Sequence, residues 1–353
     1  MEKPTLDKFP KAVLAKIDIQ KAFVVSRLIV AAERLQVFRL LHGKRMKAEA
    51  IGRALKIHKF YLQAFLNSLA ALGLLDKAKG AYGNTPFAKK YFVEERSIYW
   101  TRQYSNECVE AFEALTVLEK ALASGKRYRS ILRLKRPSYT EAMKRDHTQA
   151  ENFTQMLYHF HKDDAAALAK YLDLSQHSTL LDVGGGSGVM SIALAKRNPH
   201  LQAALLDIAP VCEVAAGNIR RAGLSRRVQT LAGDIHDRLP AGHDVIMFCD
   251  IGPVSKQLLR SAYKSLPAEG LVVLVDRYLS EDGTKPLDRL VEHFAGSSFG
   301  LATWKDMVEA MKSCGFQGVK AASVYRDVWF ITGRKPARRA ATAAPRAEKT
   351  RSE

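Results

Sequence analysis

The densest chemistry in this 353-residue chain lies in Leu180-Leu181-Asp182-Val183-Gly184-Gly185-Gly186-Ser187-Gly188. The run ends a β-rich stretch and opens a helical one. Glycine lets a backbone turn tightly and approach a ligand closely, and a helix N-terminus offers N–H groups with no partner of their own. The dinucleotide fingerprint G-x-G-x-x-G, counted from Gly184, requires glycine at 189, where Val189 stands. The spacing is instead G-x-G-x-G, with Asp182 two residues before it. A carboxylate there suits a cationic ligand group better than a pyrophosphate. Nineteen residues beyond Gly188, the next β-rich run ends in Asp207. Its carboxylate can accept from both hydroxyls of a ribose. Gly233-Asp234-Ile235 follows a third run, and Cys249-Asp250 ends a fourth. All of these sit at strand carboxyl ends, where an open α/β sheet binds its ligand.

The elements that must position them follow from the texture of the chain. From about residue 177, short β-rich runs (TLLDVG, LQAALLD, RVQTLAG, HDVIMFCD, GLVVLVDR) alternate with helical runs at 188–197, 210–223, 254–266 and 303–314. This alternation predicts a doubly wound, mostly parallel α/β sheet of Rossmann type over 177–333. Two last strands, VKAASVY and VWFITG, are separated only by Arg326-Asp327. That gap is too short for a crossover, so they must pair antiparallel, which makes seven strands. Residues 8–42 read as helical, and 111–176 as linking helices. Between 46 and 92 the order is helix, turn, helix, then a small hairpin whose turn is read at Gly80-Ala81-Tyr82-Gly83. That is a winged helix, and it completes an N-terminal domain over 1–110. A winged helix suggests DNA binding. Its second helix is nearly all apolar, however, with Gln63 and Asn67 the only side chains suited to reading bases, so a protein–protein role is the stronger reading.

At this point the chain resembles the S-adenosylmethionine-dependent methyltransferases of the plant caffeate O-methyltransferase type, the group that includes hydroxyneurosporene O-methyltransferase and bacteriochlorophyllide C-20 methyltransferase. The likeness covers about residues 20–333 and rests on D-V-G-G-G-x-G and on the winged helix, which matches the group's dimerisation domain. It implies S-adenosylmethionine as cofactor, a homodimer and a small aromatic or polyene substrate. It also implies cofactor roles for Asp182, Gly184, Gly186, Gly188, Asp207, Asp234, Ile235 and Cys249. One feature departs from the group's pattern. The O-methylating members carry His-x-Trp-x-Asp after the fourth strand, and that His takes the proton from the substrate hydroxyl. Here the loop reads Phe248-Cys249-Asp250-Ile251-Gly252-Pro253-Val254-Ser255-Lys256, with neither His nor Trp. Asp250, His293 and His159 are then the candidate bases, with His161 behind them. Met156, His159, Phe160 and His293 are candidate pocket residues. A hydroxyl acceptor is the first expectation. A carbon acceptor on a tetrapyrrole-like ring is the alternative, since an electron-rich carbon needs less help from a base. A winged-helix DNA-binding regulator is the rival from another class.

Composition sets the outer bounds. No run of 18 apolar residues occurs, and the first residues lack the apolar core of a secretory signal. Four widely spaced cysteines show no metal or redox spacing, which reads as reduced thiols in a cytoplasmic protein. The net charge of +19 is uneven: 29 basic against 14 acidic side chains in residues 1–150, and 7 against 2 in 334–353. The segment from Arg334 is Ala, Arg, Pro and Thr without apolar periodicity, and it reads as a disordered tail. Removing residues 336–353 is therefore expected to leave the melting temperature and cofactor affinity unchanged. Differential scanning fluorimetry on the shortened chain checks this, and a drop of several degrees counts against it.

Overall fold

The structure is a computed structural model that describes residues 21–94, 108–135, 137–294 and 300–337. The chain enters through helices α1 (Ala22–Arg34), α2 (Val37–Leu40), α3 (Ala48–Leu55) and α4 (Lys59–Ala71). Residues 8–20 of the expected first helix lie outside the described residues. Strands β1 (Met46–Lys47), β2 (Leu75–Ala78) and β3 (Ala81–Asn84) form a small antiparallel sheet in the order β1-β3-β2 and complete the winged helix. The hairpin turns at Lys79 and Gly80, with φ of 49° and 73°, not along Gly80–Gly83. A two-residue hairpin loop of this type (I′) takes positive φ at both positions, and glycine supplies it at the second without strain. Ala81, Tyr82 and Gly83 are thereby freed to extend β3. Tyr82 is fully buried, and its hydroxyl accepts from Gln63 and donates to Asn67, both at 2.7 Å. The two side chains suited to reading bases are thus engaged by the wing's own tyrosine. Phe60 and Tyr61 on the same helix stay exposed, an apolar face of the kind that meets a protein partner.

The larger sheet contains β4 (Thr179–Val183), β5 (Gln202–Asp207), β6 (Val228–Ala232), β7 (Val245–Cys249), β8 (Leu271–Asp276), β9 (Gln317–Tyr325) and β10 (Val328–Arg334), in the order β6-β5-β4-β7-β8-β10-β9. The first five neighbours are parallel, and β10 runs antiparallel to both β8 and β9. Helices α5 (Tyr139–Arg145), α6 (His147–Phe160), α7 (Lys162–Tyr171), α8 (Val189–Arg197), α9 (Ala209–Arg221), α10 (Lys256–Ser265), α11 (Leu287–Phe294) and α12 (Trp304–Ser313) flank it. Successive strand residues point to opposite faces. Leu180, Met247, Val273 and Phe330 pack with Leu168 and Leu194 of α7 and α8 on one face. Leu181, Phe248, Leu274 and Ile331 pack with Leu259 and Met311 of α10 and α12 on the other. The ordered sheet passes the expected start of the tail: Arg334 pairs with Leu271, and the Lys335 N–H bonds Gly270 O at 2.9 Å. Residues 338–353 lie outside the described residues.

Helix α7 is fixed to the sheet partly by Tyr171, whose ring stacks on Phe330 at 5.4 Å. Phe330 is fully buried in the antiparallel strand. Phe330→Ala is expected to cost about 3–5 kcal/mol of stability. Chemical denaturation reads this, and a change below about 1 kcal/mol would show that the site can collapse around the missing ring.

Candidate active site

Gly184, Gly186 and Gly188 all have left-handed backbones, with φ of 70°, 52° and 77°. The requirement at Gly185 is steric: an added Cβ would lie 2.5 Å from Leu205 Cγ and 2.9 Å from Asp182 Cγ. Sequence reasoning passed over that glycine, although it sits inside the run. A Cβ on Gly184 would come 2.8 Å from Ile251 Cγ2 and 3.9 Å from Ile235 Cγ2. The loops after β4, β6 and β7 therefore meet at this one glycine.

The carboxylates around the loop are each compensated differently. Asp182 is fully buried, and its Oδ2 accepts from Ser191 Oγ at 2.6 Å. Its Oδ1 has no hydrogen-bond partner among the described residues. Burial pushes this carboxyl up to about 7, against the bond from Ser191 and with the Asp207 charge adding. Asp207 ends β5 as expected. Its Oδ2 accepts from the Gly186 N–H at 2.9 Å and its Oδ1 from the Ile208 N–H at 2.8 Å. Burial also raises Asp207, and those two bonds partly offset the rise. Asp234 is exposed and accepts from the His236 N–H at 2.9 Å. The glycine loop is also braced from outside the sheet. Asn218 Nδ2 of α9 donates to Ser187 O at 2.9 Å, and Gln155 Nε2 of α6 donates to Asn218 Oδ1 at 3.1 Å.

A second cluster lies at the ends of β7 and β8. Cys249 is half-buried, and burial raises its thiol well above the usual range. Asp250 adopts φ of 52°, rare for a residue other than glycine and a mark of local strain. Its side chain is 36% exposed, and its Oδ2 lies 2.9 Å from His161 Nε2. The other ring nitrogen, Nδ1, lies 2.9 Å from Asp164 Oδ2. Burial disfavours a charged ring, but Asp250 and Asp164 together outweigh it and lift His161 to about 10. The ring is an imidazolium that donates from both nitrogens. For Asp250, burial works against the charged form, and the His161 ring outweighs it, so the carboxyl stays below its ordinary range. Asp276 ends β8, buried, and accepts from the Gly252 N–H at 2.9 Å and the Arg277 N–H at 2.6 Å. Burial, with the Asp250 charge adding, pushes it up to about 6.

The remaining expected residues are more dispersed. Met156 is buried in α6, and Phe160 stands edge-on to the His161 ring at 4.8 Å. His159 is half-buried, edge-on to Tyr158. His293 is exposed on α11, beside Phe294. The pairing that joins the linking helices to the sheet belongs to His161, which the sequence reading placed behind both. The one local sign was Asp164, three residues on and within reach across a helical turn. Among the described residues no group of His, Cys, Asp and Glu could hold a metal ion, and no helix is long and apolar enough to cross a membrane.

Residues 118–300 match the model of the O-methyltransferase domain, and residues 17–94 that of the O-methyltransferase dimerisation domain. The chain belongs to the O-methyltransferase family. It is an S-adenosylmethionine-dependent methyltransferase, and its winged-helix domain is the dimerisation domain of a homodimer. The 3-hydroxy-5-methyl-1-naphthoate 3-O-methyltransferase of Streptomyces sahachiroi is 27% identical over 280 residues, 77% of this chain and 79% of its own. The L-tyrosine C(3)-methyltransferase of Streptomyces lavendulae is 36% identical over 160 residues, 42% of this chain and 44% of its own. The fold is shared with the mitomycin 7-O-methyltransferase MmcR, with a TM-score of 0.79 at 19% identity over 92% of this chain and 98% of that one.

Asp207→Ala removes the acceptor of the Gly186 N–H and the carboxylate expected to take a ribose. Charge-assisted hydrogen bonds of about 1.5–3 kcal/mol each are at stake, so S-adenosylhomocysteine should bind at least tenfold more weakly. Isothermal titration calorimetry checks this. An affinity within about twofold of the parent would put the ribose elsewhere.

Proposed function

We propose that this O-methyltransferase transfers a methyl group to the hydroxyl of a small, flat aromatic metabolite, and that Asp250 holds that hydroxyl. The observation that carries this reading is a partly exposed, ionised carboxylate just after β7 whose next residue, Ile251, closes on Gly184 of the glycine loop. The naphthoate methyltransferase to which the chain is similar acts on an aromatic hydroxyl, which supports the substrate class.

The residues of the loop fit S-adenosylmethionine. Asp182 Oδ1 is an unpartnered buried acceptor suited to an ammonium group or a bridging water. Gly184, Gly186 and Gly188 let the backbone approach, at the N-terminus of α8. Asp207 would take the ribose hydroxyls, Asp234 the adenine amine, and Ile235 and Cys249 the ring. When bound, the cofactor supplies a methyl group made electrophilic by a sulfonium. The chain's own part is positioning and proton handling. Asp250 accepts the hydrogen bond of the substrate hydroxyl, draws electron density onto its oxygen, and takes up the proton as that oxygen is methylated. Met156 and Phe160 flank the flat substrate. In-line displacement rewards such near-attack alignment more than strong base catalysis.

Asp250→Asn is a clean test, because Asn tolerates a left-handed backbone and keeps the size. It should lower kcat by roughly 10²–10⁴-fold on an identified hydroxyaromatic acceptor, with little effect on S-adenosylhomocysteine affinity. A loss below about tenfold, with a large loss instead in His293→Ala or His159→Ala, would move the base to that histidine. Small losses in all three, with NMR of the product showing a new carbon–methyl bond, would favour the carbon-methylating reading.

A further inference from the structure

We propose that His161 is a positioning residue for methyl transfer: through Nε2 it holds the Asp250 carboxylate at the end of β7, and Asp164 holds the ring from behind through Nδ1. The inference rests on the role given to Asp250 above. The three groups form a line, Asp164–His161–Asp250, with both contacts at 2.9 Å. The burial gradient along it is steep. Asp164 and His161 side chains are 12% and 13% exposed, and Asp250 is 36% exposed at the open end. A line buried at one end and open at the other aims its last member outward. Asp250 Oδ2 is taken by the ring, while Asp250 still has lone pairs for a ligand.

His161 also lies at a structural junction. It is the residue between α6 and α7, with φ −91° and ψ 9°, where the chain changes direction. Six residues before it, Gln155 reaches Asn218 and through it Ser187 of the glycine loop. One short segment therefore braces both the loop after β4 and the carboxylate after β7. Such bracing fixes two groups on different strands relative to each other, which is what an in-line displacement needs.

Charged and titratable groups face His161 and Asp250 from several elements. Helix α7 contributes Asp164, β7 ends in Cys249, and β8 ends in Asp276, followed by Arg277 and Tyr278. Helix α11 sends Arg289 towards Asp276 at 3.6 Å, and Tyr325 of β9 lies near Asp164. Arg277 is turned to Asp288, with both contacts at 2.7 Å. Arg289 is shared between Asp276 and Glu292. The direct hydrogen bond between a cation and Asp250 is that of His161. Without it, burial pushes the Asp250 carboxyl upward against the smaller pulls of the Arg289 and Arg277 charges.

The experiment compares His161→Asn and Asp164→Asn with the parent chain, using the full-length protein and one methyl acceptor. Rates are measured from pH 3 to 9, together with S-adenosylhomocysteine affinity. For His161→Asn, kcat should fall roughly ten- to a hundredfold at neutral pH while KM changes little. The acid limb of the kcat profile should rise by about one pH unit or more, because a carboxylate that loses its cation takes up a proton at higher pH. Asp164→Asn, which keeps the Asp250 contact but weakens the ring's charge, should move the limb the same way by less. If His161→Asn does not fold, the Asp164→Asn limb alone decides. An unmoved limb in the folded variants overturns the proposal, whether or not turnover falls, since a packing role predicts loss without a pH shift. If Asp250→Asn is costly and His161→Asn silent, only the brace fails. If both are silent, the reading of Asp250 fails with it.

Discussion

Four carboxylates crowd the carboxyl ends of four adjacent strands, and the rest of the site is arranged around what that costs. Asp207 ends β5, Asp182 lies one residue short of the end of β4, Asp250 follows β7 and Asp276 ends β8. Like charges taken from water repel and drive one another towards protonation. Asp182 and Asp276 yield, at about 7 and about 6. Asp250 does not, because a cation is bonded to it. The chain thus sorts chemically similar groups into different states by what stands behind each: a serine for Asp182, backbone N–H groups for Asp207, backbone N–H groups with a more distant Arg289 for Asp276, and a directly bonded imidazolium for Asp250. Negative charge held at these strand ends is complementary to a ligand that carries positive charge, as a sulfonium with an amino group does.

Rigidity keeps those differences fixed. The strands that carry the acids are buried on both faces, so their ends cannot shift without disturbing two cores at once. Contacts between the loops do the rest. Ile251 fills the space a side chain on Gly184 would need, and the Asp250 N–H bonds Val275 O at 2.9 Å, which pins the left-handed residue to β8. The strain at Asp250 is held by the surrounding structure, which is where such strain persists.

Much of this was legible in the sequence. Glycine spacing and strand-end acids are local signals, because backbone conformation and strand length dictate them within a few residues. The final antiparallel pair followed from a two-residue gap, and the mostly parallel sheet followed from alternation. The His161–Asp250 contact was not legible, since 89 residues separate the partners and only packing of α6 and α7 against the sheet joins them. The wing was misread for a similar reason. Gly80 and Gly83 both looked like turn residues, and the burial of Tyr82 decided between them by drawing Ala81–Gly83 into the strand. Gln63 and Asn67 looked available to bases until Tyr82 occupied both.

With Asp250 in the role proposed above, the site asks something different of its substrate than a histidine base would. A neutral imidazole accepts a proton and carries it off near neutral pH. A carboxylate held low by an imidazolium is a weaker base, and by Brønsted behaviour it removes little of a proton from an ordinary alcohol. It remains a strong, charged hydrogen-bond acceptor across the working range. Such a group suits acceptors whose hydroxyl is already acidic, as in phenols conjugated with a carbonyl or carboxylate, where alignment and partial charge suffice. An aliphatic alcohol would be aligned as well but left protonated at the moment of displacement. On that reading, the electrostatics that keep Asp250 ionised favour acidic hydroxyls as acceptors.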